Sequence, residues 1–260
     1  MLNLFIFLGR KALAFLYFLG GLGTLAAQTF CFAFTPPFNR ERIFVQAKKA
    51  GVESFPIVSL VALFLGIILA LQTAYQMQRL GSEMYIASIV ALSLVRELGP
   101  VITALVVAGR VGAAITAEVG SMQVTEQVDA LRTLATDPIE YLVVPRFWAL
   151  SLMLPILTLY ADIIGILGGW LICVYRLGIS SQLYLNITFD ALLFKDVFTG
   201  LAKTVFFGMI IAFVSCYAGF NVEGGAEGVG KATRQAVVTT FILIIASDCF
   251  FTLLFYFIFP

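Results

Sequence analysis

Long apolar runs, separated by short polar connectors, dominate the pattern along this chain. A helix needs about 20 apolar residues to cross a bilayer, and five runs reach or exceed that length. They occupy residues 54–77, 84–117, 145–175, 196–220 and 232–259. The pattern predicts an all-α integral membrane protein with five transmembrane helices.

A further apolar run over residues 12–27 follows Arg10 and Lys11. It loosely resembles a signal peptide, but residues 1–9 are apolar where a signal peptide has a basic start. We therefore expect the segment to be retained. Its length is compatible both with a span and with a helix lying flat in the membrane interface, and hydropathy alone leaves both placements open.

Lys and Arg residues are unevenly distributed between the two sets of connectors. One set comprises 40–50, 118–144 and 221–231, together with the adjoining helix ends. Its nine basic residues are Arg40, Arg42, Lys48, Lys49, Arg110, Arg132, Arg146, Lys231 and Arg234. The other set carries three, namely Arg79, Arg176 and Lys195. Because basic loops remain in the cytoplasm, the first set is predicted to be cytoplasmic.

Composition excludes several classes of function. The chain is 61% hydrophobic and 12% charged, its net charge is +1, and it contains no histidine. The four cysteines form no CxxC pair. We therefore expect no nucleic-acid binding, no metal site, no redox centre and no cofactor.

Residues 225–232 read GAEGVGKA, close to the phosphate-binding loop GxxxxGK[ST]. The match fails because Ala232 replaces the hydroxyl that binds Mg²⁺, and because a membrane helix precedes it instead of a strand. If ATP drives this protein, another chain must bind it. Without histidine or a GxSxG elbow, no nucleophile–base pair is present, and we expect no catalytic residue.

Five ionisable residues interrupt the predicted spans, and they are Arg96, Glu97, Asp162, Lys203 and Asp248. At a rise of about 1.5 Å per residue, each of them falls in the outer half of the membrane. Ionisable groups in lipid are costly and by default mark a functional site. We therefore predict one internal polar site. The alternative is a structural ion-pair network that holds the helices together. One network can serve both as a substrate site and as a structural element.

Arg96 and Glu97 are sequence neighbours, so on a helix they point about 100° apart and cannot pair face to face. We expect their partners on other helices, with Lys203 and Asp248 as candidates. Asp162 has the weakest case, because it lies beside a glycine cluster at 165–169. That cluster, like the small-residue run over 108–117, favours close helix packing.

The 118–144 connector is polar, and its residues 123–133 are predicted to form a short helix. The helix carries Glu126, Gln127, Asp129 and Arg132. Asp137 and Pro138 then supply a turn. A polar helix between two spans on the cytoplasmic side is suited to receiving force from a soluble motor, and an ordinary solvated loop is the alternative.

An ordered string of motifs resembles the MlaE/TGD1-type permease family of ABC phospholipid (MCE-associated) transporters. The motifs are LSLVRELGP, AGRVGAAITAE, TEQVDAL, DP and VPRFWA, in this order. The likeness extends from about Val52 to the C-terminus, with a looser N-terminal helix.

The resemblance implies one membrane permease domain over residues 1–260. An interfacial helix and a cytoplasmic connection would occupy 1–50, and a bundle of five spans 51–260, with a coupling helix at about 121–135. The flat placement of the N-terminal helix is thereby favoured.

The implied assembly is a homodimer with cytoplasmic ABC ATPase subunits, a periplasmic MCE-domain lipid-binding protein and a small regulatory subunit. It would move phospholipids between the inner membrane and the outer envelope. The implied location is the inner membrane of a diderm bacterium, with the chloroplast inner envelope as the alternative.

The resemblance also implies residue roles. In relatives a lipid pocket opens outward between the two subunits. The residues that match its lining, or charged positions of the family, are Leu69, Gln76, Met77, Arg96, Glu97, Leu98, Lys203 and Asp248. The residues implied to couple to the ATPase are Glu118, Glu126, Gln127, Asp129 and Arg132. Gln76 and Met77 stand where relatives can carry aliphatic residues, which leaves lipid preference open.

Two other functions stay open at this point. An ion- or proton-coupled secondary transporter would use Glu97 and Asp248, although the absence of an inverted repeat weakens that hypothesis. A purely structural scaffold would tolerate substitution at every buried charge.

Overall fold

The computed structural model describes residues 2–35 and 39–258, and every regular element in these ranges is helical. Six of the described helices are long and apolar enough to cross a membrane. The predicted all-α membrane fold is therefore confirmed.

The chain forms nine helices within the described residues, counting continuous helices once. They are α1 (Leu2–Ala33), α2 (Arg40–Ala50), α3 (Phe55–Arg79), α4 (Glu83–Val124), α5 (Gln127–Thr133), α6 (Ile139–Tyr175), α7 (Ser181–Ala191), α8 (Phe194–Phe220) and α9 (Gly225–Ile258). A 3₁₀ turn, Val52–Ser54, joins α2 to α3.

Three π-helical turns interrupt the long helices. Two lie in α4, at Leu94–Leu98 and Ala108–Gly112, between α-helical segments Ile86–Ser93, Gly99–Val107 and Ala113–Val124. The third, Ile139–Val143, opens α6. A π turn adds a residue to one helical turn and rotates the side chains that follow, and such turns are frequent at functional sites. The first of them carries Arg96 and Glu97.

Helix α6 runs through the middle of the bundle and packs against α3, α4 and α8. Its contact with α3 requires glycine on both sides. A Cβ at Gly66 would overlap the backbone of Gly165, and a Cβ at Gly168 would lie 2.5 Å from the carbonyl oxygen of Leu63. The prediction that the 165–169 cluster permits close packing is confirmed.

The two ends of the bundle differ in charge. We call the end that carries α2, α5 and the 221–224 turn the basic end, and the end that carries 80–82 and α7 the opposite end. Described contacts of α1 lie near the basic end: Phe18 packs on Tyr217, and Phe30 packs on Phe147 and Phe213. Tyr217 and Phe213 are four residues apart on α8, whereas Phe18 and Phe30 are 12 apart on α1. Helix α1 therefore crosses α8 at an angle, and its placement flat in the membrane interface stays a prediction.

The predicted boundary at Ala117 is wrong, because α4 continues to Val124. Nothing in that segment breaks the helix, since Gly120 packs directly against Val222. The helix predicted at 121–135 is correspondingly shorter and begins at Gln127. Glu126 separates the two helices by adopting a left-handed conformation with φ of 60°.

Helix α7, in the predicted 176–195 connector, was not anticipated. Its first turn is capped by Ser180, whose hydroxyl accepts a hydrogen bond from the Leu183 amide at 3.2 Å. Tyr184 is buried and anchors it to the bundle.

Candidate functional site

The predicted intramembrane charges meet at Lys203 of α8. Its ammonium donates hydrogen bonds to Glu97 Oε2 at 2.7 Å, Asp248 Oδ1 at 3.0 Å and Thr252 Oγ1 at 2.8 Å. It also contacts the Arg96 carbonyl oxygen at 3.3 Å. The lysine side chain is 2% exposed. A buried ammonium has three N–H groups to satisfy, and this environment satisfies all of them.

Helices α4 and α9 supply the side-chain partners of Lys203. Asp248 and Thr252 are four residues apart on α9 and so share one face. The Thr252 hydroxyl donates in turn to Glu97, with its oxygen 3.1 Å from Oε1 and 3.2 Å from Oε2. The cluster of Glu97, Lys203, Asp248 and Thr252, which we call the Lys203 cluster, joins α4, α8 and α9. The prediction that Glu97 has its partners on other helices is confirmed.

Arg96 has a partner different from the predicted ones. Its Nε lies 3.4 Å from Asp196 Oδ1. The other oxygen of Asp196 accepts a hydrogen bond from the Leu193 amide at 3.1 Å, at the start of α8. Asp196 is buried, while the Arg96 side chain is 55% exposed. Arg96 therefore remains accessible beside the hydrogen-bonded cluster around the buried Lys203.

A small cavity opens beside these groups. The residues that line it are Arg96, Glu97, Lys195, Asp196, Thr199, Lys203, Thr252, Phe255 and Tyr256. Its volume is about 90 Å³, which is large enough for several water molecules. One chain alone thus provides a polar anchoring point with an aromatic wall, without room for a large ligand.

Asp162 does not join the Lys203 cluster, so the expectation of a single site for all five charges is wrong for this residue. It is buried on α6 against Gly99 of α4, where a Cβ would overlap Asp162 Oδ1. Arg96 and Glu97 instead face α8 and α9. Depth along a helix does not determine which neighbour a side chain faces, and α4 separates the two locations.

The α3 residues singled out by the resemblance lie elsewhere on the surface of this chain. Leu69 and Met77 are partly buried around an apolar cluster that also receives Leu98. Gln76 is exposed. None of these four is among the residues that line the 90 Å³ cavity. Their role as pocket residues stays a prediction.

Helix α5 is exposed, with Val128 buried as its anchor. Asp129 and Arg132 pair along its surface at 2.9 Å, and Gln127 donates to the Thr125 hydroxyl at 3.0 Å. Glu126 is exposed where α4 gives way to α5. The adjoining Leu134 is 74% exposed. The predicted polar surface helix is thus present, in its shortened form, and ends on an apolar side chain.

Glu118 is placed differently from the other four coupling candidates. It pairs with Arg146 at 3.0 Å and with Lys49 at 3.6 Å, and so connects α4 to α6 and α2. Arg110 lies about two helical turns before Glu118 on α4 and pairs with Glu53 at 3.0 Å. These contacts, which we call the basic-end network, tie three helices together close to α5.

Asp196 and Thr252 were missed by sequence reasoning. Asp196 stands at the predicted start of a span, where a carboxylate usually caps the helix. Here it caps the start of α8 and also forms an ion pair with Arg96. Thr252 is neutral, and its position four residues after Asp248 was the only available signal.

Comparison with known proteins adds independent information. The model of the family described as Permease MlaE matches residues 43–254. A probable ABC transporter permease protein of Rickettsia felis is 44% identical over 256 residues, covering 98% of this chain and 99% of the relative.

Relatives also occur among photosynthetic organisms. A probable ABC transporter permease protein of Synechocystis is 43% identical over 226 residues, covering 87% of this chain and 86% of the relative. The Arabidopsis thaliana protein TRIGALACTOSYLDIACYLGLYCEROL 1, chloroplastic, is 40% identical over 203 residues, covering 78% of this chain and 58% of the relative.

Proposed function

The chain belongs to the MlaE permease family and is a permease subunit of an ABC transporter, and we propose that its substrate is a phospholipid. The lipid would move between the inner membrane and the outer envelope of a diderm bacterium. The observation that carries this proposal is the accessible Arg96 beside the cluster around the buried Lys203, in the predicted outer half of the membrane.

Arg96 is suited to bind the phosphate of a lipid. A guanidinium presents paired N–H donors that match phosphate oxygens, and such charge-assisted hydrogen bonds are strong. The Arg96–Asp196 contact of 3.4 Å is long for such a bond and engages Nε, so the other guanidinium nitrogens are available to a ligand. Lys195 lines the same cavity and adds a second accessible cation.

The size of the cavity supports a homodimer. A volume of about 90 Å³ cannot enclose a phospholipid, so its acyl chains must lie against surfaces outside this cavity. Helix α9 offers such a surface, because Phe250, Leu253 and Phe257 are exposed near the Lys203 cluster. In the proposed dimer, a second subunit would face that surface and complete the pocket. The α3 residues Leu69, Gln76 and Met77 are proposed to line its apolar part.

The energy for transport is proposed to come from a separate ATPase chain. The near-miss sequence at 225–232 forms the first turns of α9, so it offers no phosphate-binding loop. Helix α5 would dock on the ATPase through Gln127, Asp129 and Arg132. From Glu126 back to Glu97 is 29 residues, about 43 Å along α4, and two π turns interrupt that path. A push on α5 would therefore reach the Lys203 cluster through one helix.

The remaining partners follow from the same family membership. We propose a periplasmic MCE-domain protein that receives or delivers the lipid at the opposite end, and a small regulatory subunit. The ion-coupled alternative has less support, because Lys203 already binds both carboxylates that it would need. Co-purification of an ATPase subunit supports the transporter proposal, whereas a stable chain that transports alone would support the alternative.

The variant Arg96→Glu tests the proposed substrate site. It reverses the accessible charge without touching the hydrogen bonds of the Lys203 ammonium to side chains. We expect the phospholipid that ATP releases, measured by mass spectrometry of the purified complex with and without ATP, to fall about tenfold, as expected for loss of one charged hydrogen bond.

Arg176→Glu is the matched control, since Arg176 is exposed at the same end and lies outside the cavity. It should retain wild-type lipid content, and both variants should assemble normally. Wild-type lipid loading and transport by Arg96→Glu would refute the assigned role.

A further inference from the structure

A second groove lies at the basic end, between α1 and α9, with α8 as its floor. We call it the basic-end groove. Its volume is about 780 Å³, and its lining includes Phe18, Tyr217, Ala218, Lys231, Arg234 and Val238. It is separate from the Lys203 cluster, since Arg234 and Asp248 are 14 residues apart on α9, or about 21 Å.

The walls of the groove are largely apolar. Phe18 of α1 packs edge-on against Tyr217, with ring centroids 5.4 Å apart. A Cβ at Gly21 would lie 2.6 Å from the same ring, so glycine lets α1 approach α8 this closely. On the other side Val238 of α9 is 57% exposed. Between these walls the small side chain of Ala218 leaves an open apolar trough.

The polar rim of the groove lies at the level of lipid headgroups. The apolar part of α9, residues 236–258, has 23 residues and is about 34 Å long, close to the hydrocarbon thickness of about 30 Å. Arg234 and Lys231 precede this stretch by two and five residues, which places them about 3–8 Å beyond it. That distance corresponds to the region of lipid phosphates.

Lys231 and Arg234 are both exposed, and neither forms a hydrogen bond or ion pair with the part of the chain that the structure describes. The nearest acidic residue on α9 is Glu227, one turn before Lys231 and likewise exposed. Two unpaired cations above an apolar trough are complementary to one amphiphile with a negative headgroup. Basic pockets between membrane helices bind such lipids.

We propose that the basic-end groove binds one anionic phospholipid from the leaflet at the basic end. The phosphate lies on Lys231 and Arg234, and one acyl chain lies along the trough between α1 and α9. This bound lipid fills the space between α1 and the bundle and so holds α1 in place. The proposal does not depend on what the transporter moves, because the site lies at the other end of α9.

The test is native mass spectrometry of the intact purified complex after reconstitution with phosphatidylglycerol or phosphatidylcholine. We expect wild-type protein to retain phosphatidylglycerol with preference. The double variant Lys231→Gln/Arg234→Gln should bind it about thirtyfold more weakly, since each cation near the surface contributes about fivefold. Arg40→Gln/Lys48→Gln removes the same charge from α2 at the same end and should retain wild-type binding.

A second variant tests the trough itself. Ala218→Phe fills the floor of the groove and keeps both cations, and it should release the lipid. Ile163→Phe adds the same ring to an exposed position on α6 and should have no effect.

Three results would overturn the proposal. They are equal binding of the two lipids by wild-type protein, equal weakening by both charge variants, and displacement of the lipid by free glycerol phosphate, which would indicate a site for a soluble anion. If Arg96→Glu loses transported lipid while phosphatidylglycerol stays in the groove, the two sites are distinct. Failure of one proposal therefore leaves the other standing.

Discussion

The Lys203 cluster and the basic-end network hold their charges in different ways. In the Lys203 cluster, one buried cation binds Glu97 from α4 and Asp248 from α9. In the basic-end network, Glu118 of α4 binds both Arg146 of α6 and Lys49 of α2. Arg110 pairs separately with Glu53. The first arrangement joins three helices through one lysine, and the second joins three helices through one glutamate and adds a separate pair.

The difference in depth determines what each arrangement can do. Lys203 is buried at membrane depth, where a carboxylate that loses its cation is costly, so the Lys203 cluster depends on its lysine. Partly exposed pairs such as Arg110 with Glu53 are solvated and contribute little. The Lys203 cluster also has an accessible guanidinium, that of Arg96, at its edge. It is therefore suited to binding an anion, whereas the basic-end network is suited to holding α2, α4 and α6 together near α5.

Removal of the central lysine should have the largest effect. Lys203→Met leaves Glu97 and Asp248 without their cation, and we expect the free energy of unfolding to fall by about 3–5 kcal/mol. Thermal unfolding of the purified complex measures the change. In the background Glu97→Gln/Asp248→Asn, the same substitution should recover most of the loss, because no carboxylate is then left unpaired. A triple variant no more stable than the single one would contradict the electrostatic explanation.

Arg146 should come second. It is 3% exposed and pairs with Glu118, so Arg146→Met should cost about 2 kcal/mol, because Glu118 then keeps only its more distant cation, Lys49. A double-mutant cycle with Glu118→Gln isolates the pair. A coupling energy as large as that of the Lys203 cluster would remove the proposed difference between the two regions.

Arg110 should have the smallest effect. It is partly exposed and paired with an exposed glutamate, so we expect Arg110→Gln to lower the free energy of unfolding by about 0.5 kcal/mol, less at high salt. Titration of the melting temperature with salt gives the measurement. A large, salt-independent loss would show that this end, too, contains a buried electrostatic core.

Much of the Lys203 cluster could be predicted from sequence, for a specific reason. Helical rise converts residue number into depth, and depth brings Glu97, Lys203 and Asp248 to one level. The direction that a side chain faces around its helix axis cannot be read from residue number in this way. In α4 the π turn at Leu94–Leu98 also rotates the residues around it. Asp162 therefore matched in depth but faced Gly99 instead of the cluster. Arg96 pairs with Asp196, which caps the start of α8, and not with the expected Lys203 or Asp248.

At the basic end, the sequence indicated a polar helix but not its start. Residues 113–124 contain no proline, and Gly120 is accommodated within the helix, so α4 continues to Val124 before Glu126 adopts a left-handed backbone. That conformation is uncommon for a residue other than glycine, and no glycine stands at this position to indicate it. The apolar runs, by contrast, located every long helix, because hydrophobic length is a strong constraint in a membrane.

Photo-crosslinking can establish whether a phospholipid phosphate binds beside the Lys203 cluster. A photoreactive amino acid replaces Thr199, which lines the cavity, or Leu167, which is exposed on α6. Both positions will label lipid in cells grown with radioactive phosphate, since both face the membrane interior or the cavity. If the phosphate binds beside the Lys203 cluster, Arg96→Glu should lower phospholipid labelling at position 199 about tenfold and leave labelling at position 167 unchanged. Equal labelling at position 199 with and without the charge reversal would contradict it.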